Sequence, residues 1–188
     1  NVYVVWTGTL REGKLAASEL DFTMRSNGRW TEPNDIAVAA TGDAVRSSLA
    51  VDRLANLHTV YRGGNVRGGD FDLLDRNLDL KSGQGALSTS IWHMAAEPKG
   101  AAAGEWPVPR LVSNYPDYVY FTDAVIDSQG TVHTIWTQSG EVGDFALYYA
   151  RSTDGGLTWS ERTALDDHAV YSGRAHLFVD ATDHLHAV

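Results

Sequence analysis

The sequence predicts an all-β protein, a segment of a β-propeller in which four-stranded antiparallel blades follow one another along the chain. Three observations support this fold class. Short runs rich in β-branched and aromatic residues alternate with turns rich in Gly, Asp and Ser. A two-strand pattern recurs at intervals that suit a unit of four short strands. No segment carries a convincing helical pattern.

The recurring pattern is an apolar strand that ends in Asp, a short turn, and a second strand that begins four residues after the Asp. In each complete copy a His follows six residues after the Asp, which gives the pairs Asp52 and His58, Asp127 and His133, and Asp180 and His186. The first copy has only its second strand, with Tyr3 at the His position. The second strands begin at residues 1, 56, 131 and 184, so they are 55, 75 and 53 residues apart. Two of these periods are close to 50 residues, as in propeller blades, and the middle one carries an insertion.

This repeat divides the chain into a partial blade at 1–40, a blade at 46–112, a blade at 118–165 and the start of another at 173–188. The long insertion of the second unit covers 62–85, and loops of that length are often functional. Pro and Gly in 95–107 predict a loop there. About three blades do not close a ring, so we expect a six- or seven-bladed propeller completed by the same or another chain.

The composition excludes several classes of partner and structural feature. The formal net charge is −9 and the pI is about 5.1, so nucleic acid is a poor partner. No apolar run approaches the length of a membrane span. The chain has no Cys, which excludes disulfides. With 43% hydrophobic residues and six Trp, it can bury a substantial core.

The segment 152–159, STDGGLTW, matches the Asp-box pattern S-x-D-x-G-x-T-W at every defined position. On this motif and the repeat, the chain resembles the sialidase-like propellers, also called BNR-repeat proteins. In that family the box closes the turn between the third and fourth strands, away from the ligand pocket. An Asp side chain can accept backbone N–H bonds within such a turn, and a Trp can cover the hairpin. The motif residues are therefore predicted to be structural: Ser152, Asp154, Gly156, Thr158 and Trp159.

The same resemblance implies a ligand site at the propeller axis. Sialidases hold a substrate carboxylate with three arginines, and they use a Tyr–Glu nucleophile pair and an Asp acid/base. Arg46 and Arg174 each open a first strand, and the planar guanidinium suits a carboxylate. The candidates for ligand contact in the corresponding loops are Arg46, Asp117, Tyr118, Glu141, Tyr171 and Arg174.

The chain departs from the family in one respect. The R-I-P arginine motif is absent, and the segment PVPR at 107–110 has its Arg after the Pro. No catalytic residue can be assigned, and we expect a non-catalytic module that binds glycan or a protein partner at its axial face. An exo-glycosidase of the sialidase type, with its remaining catalytic residues outside this segment, is one alternative. A structural subunit of a larger surface or secreted assembly is the other. The resemblance implies an extracellular or cell-surface location.

Neither a metal nor a cofactor is predicted. The repeated His residues lie on different blades and cannot converge on one ion. The insertion contains several carboxylates, but they do not follow the EF-hand spacing; they are Asp70, Asp72, Asp75 and Asp79.

Overall fold

The prediction of an all-β fold is confirmed. The computed structural model describes residues 1–10, 17–38, 45–64, 89–113, 119–139, 145–166 and 173–188. Their strands form four antiparallel sheets, three of them four-stranded, which are the blades of a propeller. Within these ranges the one helix has five residues, and no helix is long and apolar enough to cross a membrane.

The sheets follow one another in chain order. The first contains β1 (Val2–Leu10), β2 (Ala17–Ser26), β3 (Arg29–Trp30) and β4 (Asn34–Val38), with β3 and β4 both paired to β2. The second contains β5 (Val45–Val51), β6 (Leu57–Gly64), β7 (Thr89–Ala96) and β8 (Arg110–Ser113). The third contains β9 (Val119–Ile126), β10 (Val132–Ser139), β11 (Phe145–Ser152) and β12 (Thr163–Ala164). The fourth is the hairpin of β13 (Leu177–Val179) and β14 (Leu185–Ala187).

The connection between β7 and β8 contains the helix α1 (Pro98–Ala102), so the prediction of a loop throughout 95–107 is wrong. Pro98 stands at the start of the helix, where its missing N–H is not needed and its fixed φ suits the first turn. Gly104, with φ +78°, follows the C-terminal end, where a left-handed residue is common. Ala101 is fully buried and its carbonyl accepts a 3.1 Å hydrogen bond from Asn34 Nδ2 of the first sheet. Pro98 and Gly104 therefore lie at the two ends of a helical turn, and packing on the first sheet stabilises that turn.

The core lies between neighbouring sheets. Phe22 of the first sheet and Leu57 of the second belong to one cluster of buried side chains. Val60 of the second sheet and Trp136 of the third belong to another. All four are essentially inaccessible to solvent, so each contact between sheets buries apolar surface that stabilises the fold by about 25 cal/mol per Å².

A Trp reaches back across each of these two contacts. Trp106 precedes β8 and packs edge-to-face on Phe22, with ring centroids 5.4 Å apart. Trp159 precedes β12 and packs in the same way on His93, also at 5.4 Å. Phe22 and His93 occupy equivalent places on their strands, because they face Val5 and Val60 in their sheets. In the second and third sheets, the Trp that precedes the fourth strand thus packs on the preceding sheet and stabilises the contact between the two.

Candidate functional site

The three repeated Asp residues each close the turn after a first strand. In every copy Oδ1 accepts a hydrogen bond from the backbone N–H four residues later. The distances are 2.7 Å from Asp52 to Asn56, 2.8 Å from Asp127 to Thr131 and 3.0 Å from Asp180 to His184. Burial alone would raise the pKa of Asp127, but hydrogen bonds from Thr131 and His133 outweigh it and hold that pKa below its usual range.

The second carboxylate oxygen of each Asp holds the repeated His. The distances from Oδ2 to the imidazole Nε2 are 3.4 Å for Asp52 and His58, 3.2 Å for Asp127 and His133, and 2.9 Å for Asp180 and His186. Each pair lies within one sheet, so each His hydrogen-bonds to the Asp that closes the turn of that sheet.

The 152–159 turn, between β11 and β12, is closed by its own side chains. Ser152 Oγ donates to Asp154 Oδ1 at 2.7 Å and accepts from the Gly156 N–H at 2.8 Å. Thr158 donates to both oxygens of Asp154, from its N–H at 2.9 Å and from its Oγ1 at 2.6 Å. The bonds from Thr158 and then Ser152 hold the pKa of Asp154 well below its usual range. This carboxylate is a fixed acceptor and does not serve as a proton donor.

His93 connects this turn to the second sheet. Its Nε2 lies 3.0 Å from His58 Nδ1, which extends the Asp52–His58 pair into a chain of three groups. If Asp52 accepts from His58 Nε2–H, then His58 Nδ1 accepts from His93 Nε2–H and His93 Nδ1 carries no proton. That Nδ1 is buried and has no hydrogen-bond partner within the part of the chain that the structure describes. Desolvation, with smaller effects from His58 and Arg110, lowers the pKa of His93 to about 3.

The first strands of three successive sheets contact one another, β5 with β9 and β9 with β13. Three side chains stand six residues before the repeated Asp in these units: Arg46, Phe121 and Arg174. The Arg46 guanidinium lies over the Phe121 ring, 4.3 Å from its centroid, and the Arg174 guanidinium lies 5.9 Å from the same centroid. Both arginines are exposed, and in the described ranges neither forms an ion pair.

A second layer stands four residues before each Asp, and it fixes the strands to one another. Ser48 Oγ donates to Asp123 Oδ1 at 2.7 Å. Asp123 Oδ2 accepts from the Leu177 N–H at 3.0 Å and lies 3.2 Å from His176 Nδ1. Asp123 thus joins β5 to the start of β13. We call the set formed by the two layers the inner-edge cluster: Arg46, Ser48, Phe121, Asp123, Arg174 and His176.

A β-bulge sets the direction of Arg46. The register between β5 and β6 shifts between Val45 and Ser48, and Arg46 has a φ of +56°. A non-glycine residue in this left-handed region is costly, and bulges of this kind often re-aim a side chain. The Arg46 carbonyl accepts a 2.5 Å hydrogen bond from Thr122 Oγ1 of β9, which holds the bulge against the next sheet.

Of the predicted ligand contacts, the structure brings Arg46 and Arg174 together on one aromatic ring. The other four lie outside the described residues: Asp117, Tyr118, Glu141 and Tyr171. The insertion carboxylates also lie outside them: Asp70, Asp72, Asp75 and Asp79. Sequence reasoning missed Phe121 and Asp123. Phe121 and Asp123 lie six and four residues before Asp127, just as Arg46 and Ser48 lie six and four residues before Asp52. This shared spacing was the signal that could have found them.

The first sheet carries a group of carboxylates that sequence reasoning did not single out. One oxygen from each of Glu19, Asp21 and Asp35 lies within 4.8 Å of the others. Desolvation and the nearby carboxylates raise the pKa of both Glu19 and Asp21. Gly8 of β1 leaves the space that the group needs, since a Cβ there would lie 2.4 Å from Asp21 Oδ2.

No protein-family model and no curated protein matches the chain. Among the solved structures that match the chain, two sialidases cover nearly its whole length. One is the Hadza microbial sialidase Hz136, with a TM-score of 0.59 and 10% identity over 93% of this chain and 37% of the sialidase. The other is a variant of the NanB sialidase from Streptococcus pneumoniae, with a TM-score of 0.56 and 13% identity over 95% of this chain and 26% of that one.

The chain has the sialidase-like fold. At these identities the likeness concerns the fold alone. The chain spans between about a quarter and two fifths of the length of these sialidases.

Proposed function

We propose that this chain is part of a sialidase-like propeller that binds an acidic glycan at its axial face, through Arg46 and Arg174, without cleaving it. The observation that carries the proposal is the pair of exposed guanidinium groups on the Phe121 ring. A guanidinium offers a planar fork of donors that fits a carboxylate, and the shared ring limits the rotamers of both side chains.

The electrostatics favour an anionic ligand at this place although the chain is acidic overall. The guanidinium groups of Arg46 and Arg174 have no ion-pair partner among the described residues. A ligand carboxylate would give them a charge-assisted hydrogen-bond acceptor. The neighbouring carboxylate of Asp123 does not compete for them, since Ser48, His176 and Leu177 occupy its oxygens.

The engagement of Asp123 also supports a binding role over a catalytic one. A general acid must carry a proton that it can release to the leaving group. Asp123 accepts from the Leu177 N–H and from Ser48 Oγ, so both of its oxygens are engaged in joining the strands and neither faces a leaving group as a free donor. In this proposal the 152–159 segment is a structural Asp-box of a BNR-type repeat, and the protein acts at the cell surface or outside the cell.

Binding and hydrolysis are tested on the same protein. We expect the chain to bind a methyl sialoside, and Arg174→Ala to weaken that binding about tenfold or more, as for loss of a charge-assisted pair. Arg53→Ala is the matched control, because Arg53 is exposed in the turn at the other end of β5. A fluorogenic sialoside should release no fluorophore above the buffer rate.

Two outcomes would change the assignment. Robust turnover of the fluorogenic sialoside that is lost in Arg174→Ala would make the protein a sialidase-type glycosidase. Equal sialoside binding by the wild type, Arg174→Ala and Arg46→Ala would remove the inner-edge cluster from glycan recognition and favour the scaffold alternative.

A further inference from the structure

A concave surface lies between the second and third sheets and shares no residue with the inner-edge cluster. It is a cleft of about 360 Å³ between β8 and the segment that leads to β12. This volume is within the range of small-molecule sites, about 300–1,000 Å³. Its lining includes Leu111, Val112, Ser113, Trp159, Glu161 and Arg162.

The lining combines an apolar wall with polar groups of both kinds. Val112 is buried and Trp159 is half-buried, so they provide the wall. Glu161 is exposed and provides an acceptor. The Arg162 guanidinium lies 4.3 Å from the centroid of the Tyr148 ring, which limits the positions of a strong donor.

One polar group in the cleft points to a missing partner. Ser113 Oγ is buried and has no hydrogen-bond partner among the residues that the structure describes. A buried hydroxyl without a partner is unfavourable, and a ligand hydroxyl that paired with it would remove part of that cost. Trp159 Nε1 also lacks a partner there, but so does Trp106 Nε1, so the indole alone does not mark a site.

We infer that this cleft is a second carbohydrate site, which takes an uncharged pyranose. The cleft carries one carboxylate and one guanidinium, so a neutral ligand with adjacent hydroxyls can donate to Glu161 and accept from Arg162. A further hydroxyl pairs with Ser113 Oγ, and the apolar face of the ring packs on Trp159. This site shares no residue with the inner-edge cluster and does not depend on the proposed function.

The test is a titration of the ¹⁵N-labelled chain with methyl glycosides of glucose, galactose, mannose and fucose. Affinities for single sugars are weak, so the titration extends to tens of millimolar. We expect at least one glycoside to shift the indole N–H signal of Trp159 saturably. Glu161→Gln should weaken that binding about tenfold, because a charged acceptor is lost. Ser113→Ala should weaken it by a smaller factor.

Glu32→Gln is the matched control, since Glu32 is exposed in the connection between β3 and β4 and is not part of the cleft. Glu161 is exposed, so Glu161→Gln is expected to fold, which circular dichroism checks. The inference is overturned if no glycoside in the panel gives a saturable shift. It is equally overturned if Glu161→Gln and Ser113→Ala bind like the wild type, or if Arg174→Ala abolishes the binding.

Discussion

Gly156 lies directly against the His93 imidazole of the preceding sheet, and a Cβ on Gly156 would stand 2.0 Å from His93 Cε1. Gly156 also has a φ of +89°, in the left-handed region. The turn that closes the third sheet is therefore also the surface that meets the second sheet.

We expect Gly156→Ala to lower the free energy of unfolding by about 3 kcal/mol or more, because it adds a clash with a buried ring to backbone strain. Gly155→Ala is the matched control. Gly155 has a φ of +72°, but a Cβ added there would meet no atom within 4 Å, so only the strain of about 1 kcal/mol applies. Urea unfolding measures both, and equal losses would show that the contact with His93 does not matter.

The buried His pair makes stability depend on pH. Desolvation lowers the pKa of His58 and His93, the latter to about 3, against about 6.5 in the unfolded chain. The unfolded chain therefore binds more protons below about pH 6.5, so stability is complete above that pH and is lost as the pH falls toward 3. The charged groups that bear on His93 are Arg110 and, through His58, Asp52.

We expect the free energy of unfolding to fall by about 2 kcal/mol between pH 7 and 4.5. His93→Phe copies the Phe22–Trp106 contact of the first sheet, so the variant should keep the Trp159 contact and lose much of this slope. Denaturation at several pH values compares the two proteins. An unchanged slope in His93→Phe would assign the acid sensitivity to other groups.

Replacing the Asp of an Asp–His pair should destabilise the fold, and by more where the pair is more deeply buried. Asp127→Asn keeps an acceptor for the turn, but it places an NH2 donor where the second carboxylate oxygen accepts from His133 Nε2. We expect a loss of about 1–2 kcal/mol in the free energy of unfolding. Asp180→Asn should cost less, since the Asp180 side chain is 34% exposed against 13% for Asp127. Thermal unfolding ranks the two variants, and a larger loss for Asp180→Asn would contradict the shared role.

The carboxylates of the first sheet predict a stabilising substitution. The raised pKa of Asp21 means that the folded state favours the protonated carboxyl group. Ionisation of Asp21 above that pKa therefore lowers the stability of the folded state. Asp21→Asn should raise the melting temperature at pH 7 by about 1–3 °C and have little effect at pH 3. A lower melting temperature at pH 7 would mean that the carboxylate has a favourable partner there.

Local patterns were enough to predict the first and second strands of the third sheet. The repeat predicts a first strand that ends at Asp127 and a second strand from residue 131, and β9 (Val119–Ile126) and β10 (Val132–Ser139) lie there, because alternation and turn residues act over a few positions. The fourth strand of that blade, which the repeat extends to residue 165, is only Thr163–Ala164. Trp159 packs back on the second sheet, a contact that no local pattern encodes.

The candidate site was predictable only in part. The position of Arg46 at the start of β5 follows from the repeat, as does that of Arg174, which lies just before β13 and not within it. Their meeting on Phe121 does not, because it depends on how three sheets turn about one edge. The role of His93 was hidden for the same reason, since it meets Gly156 across a sheet boundary. The helix α1 was missed because a one-turn helix held by tertiary packing has too short a period to detect.

The measurement that tests the central claim most directly compares the affinity of the chain for a sialoside with its affinity for the methyl ester of the same sialoside. If Arg46 and Arg174 hold a carboxylate, the wild type should prefer the acid about tenfold or more, and the double variant Arg46→Ala with Arg174→Ala should bind both forms equally weakly. Equal affinity of the wild type for acid and ester would contradict the account.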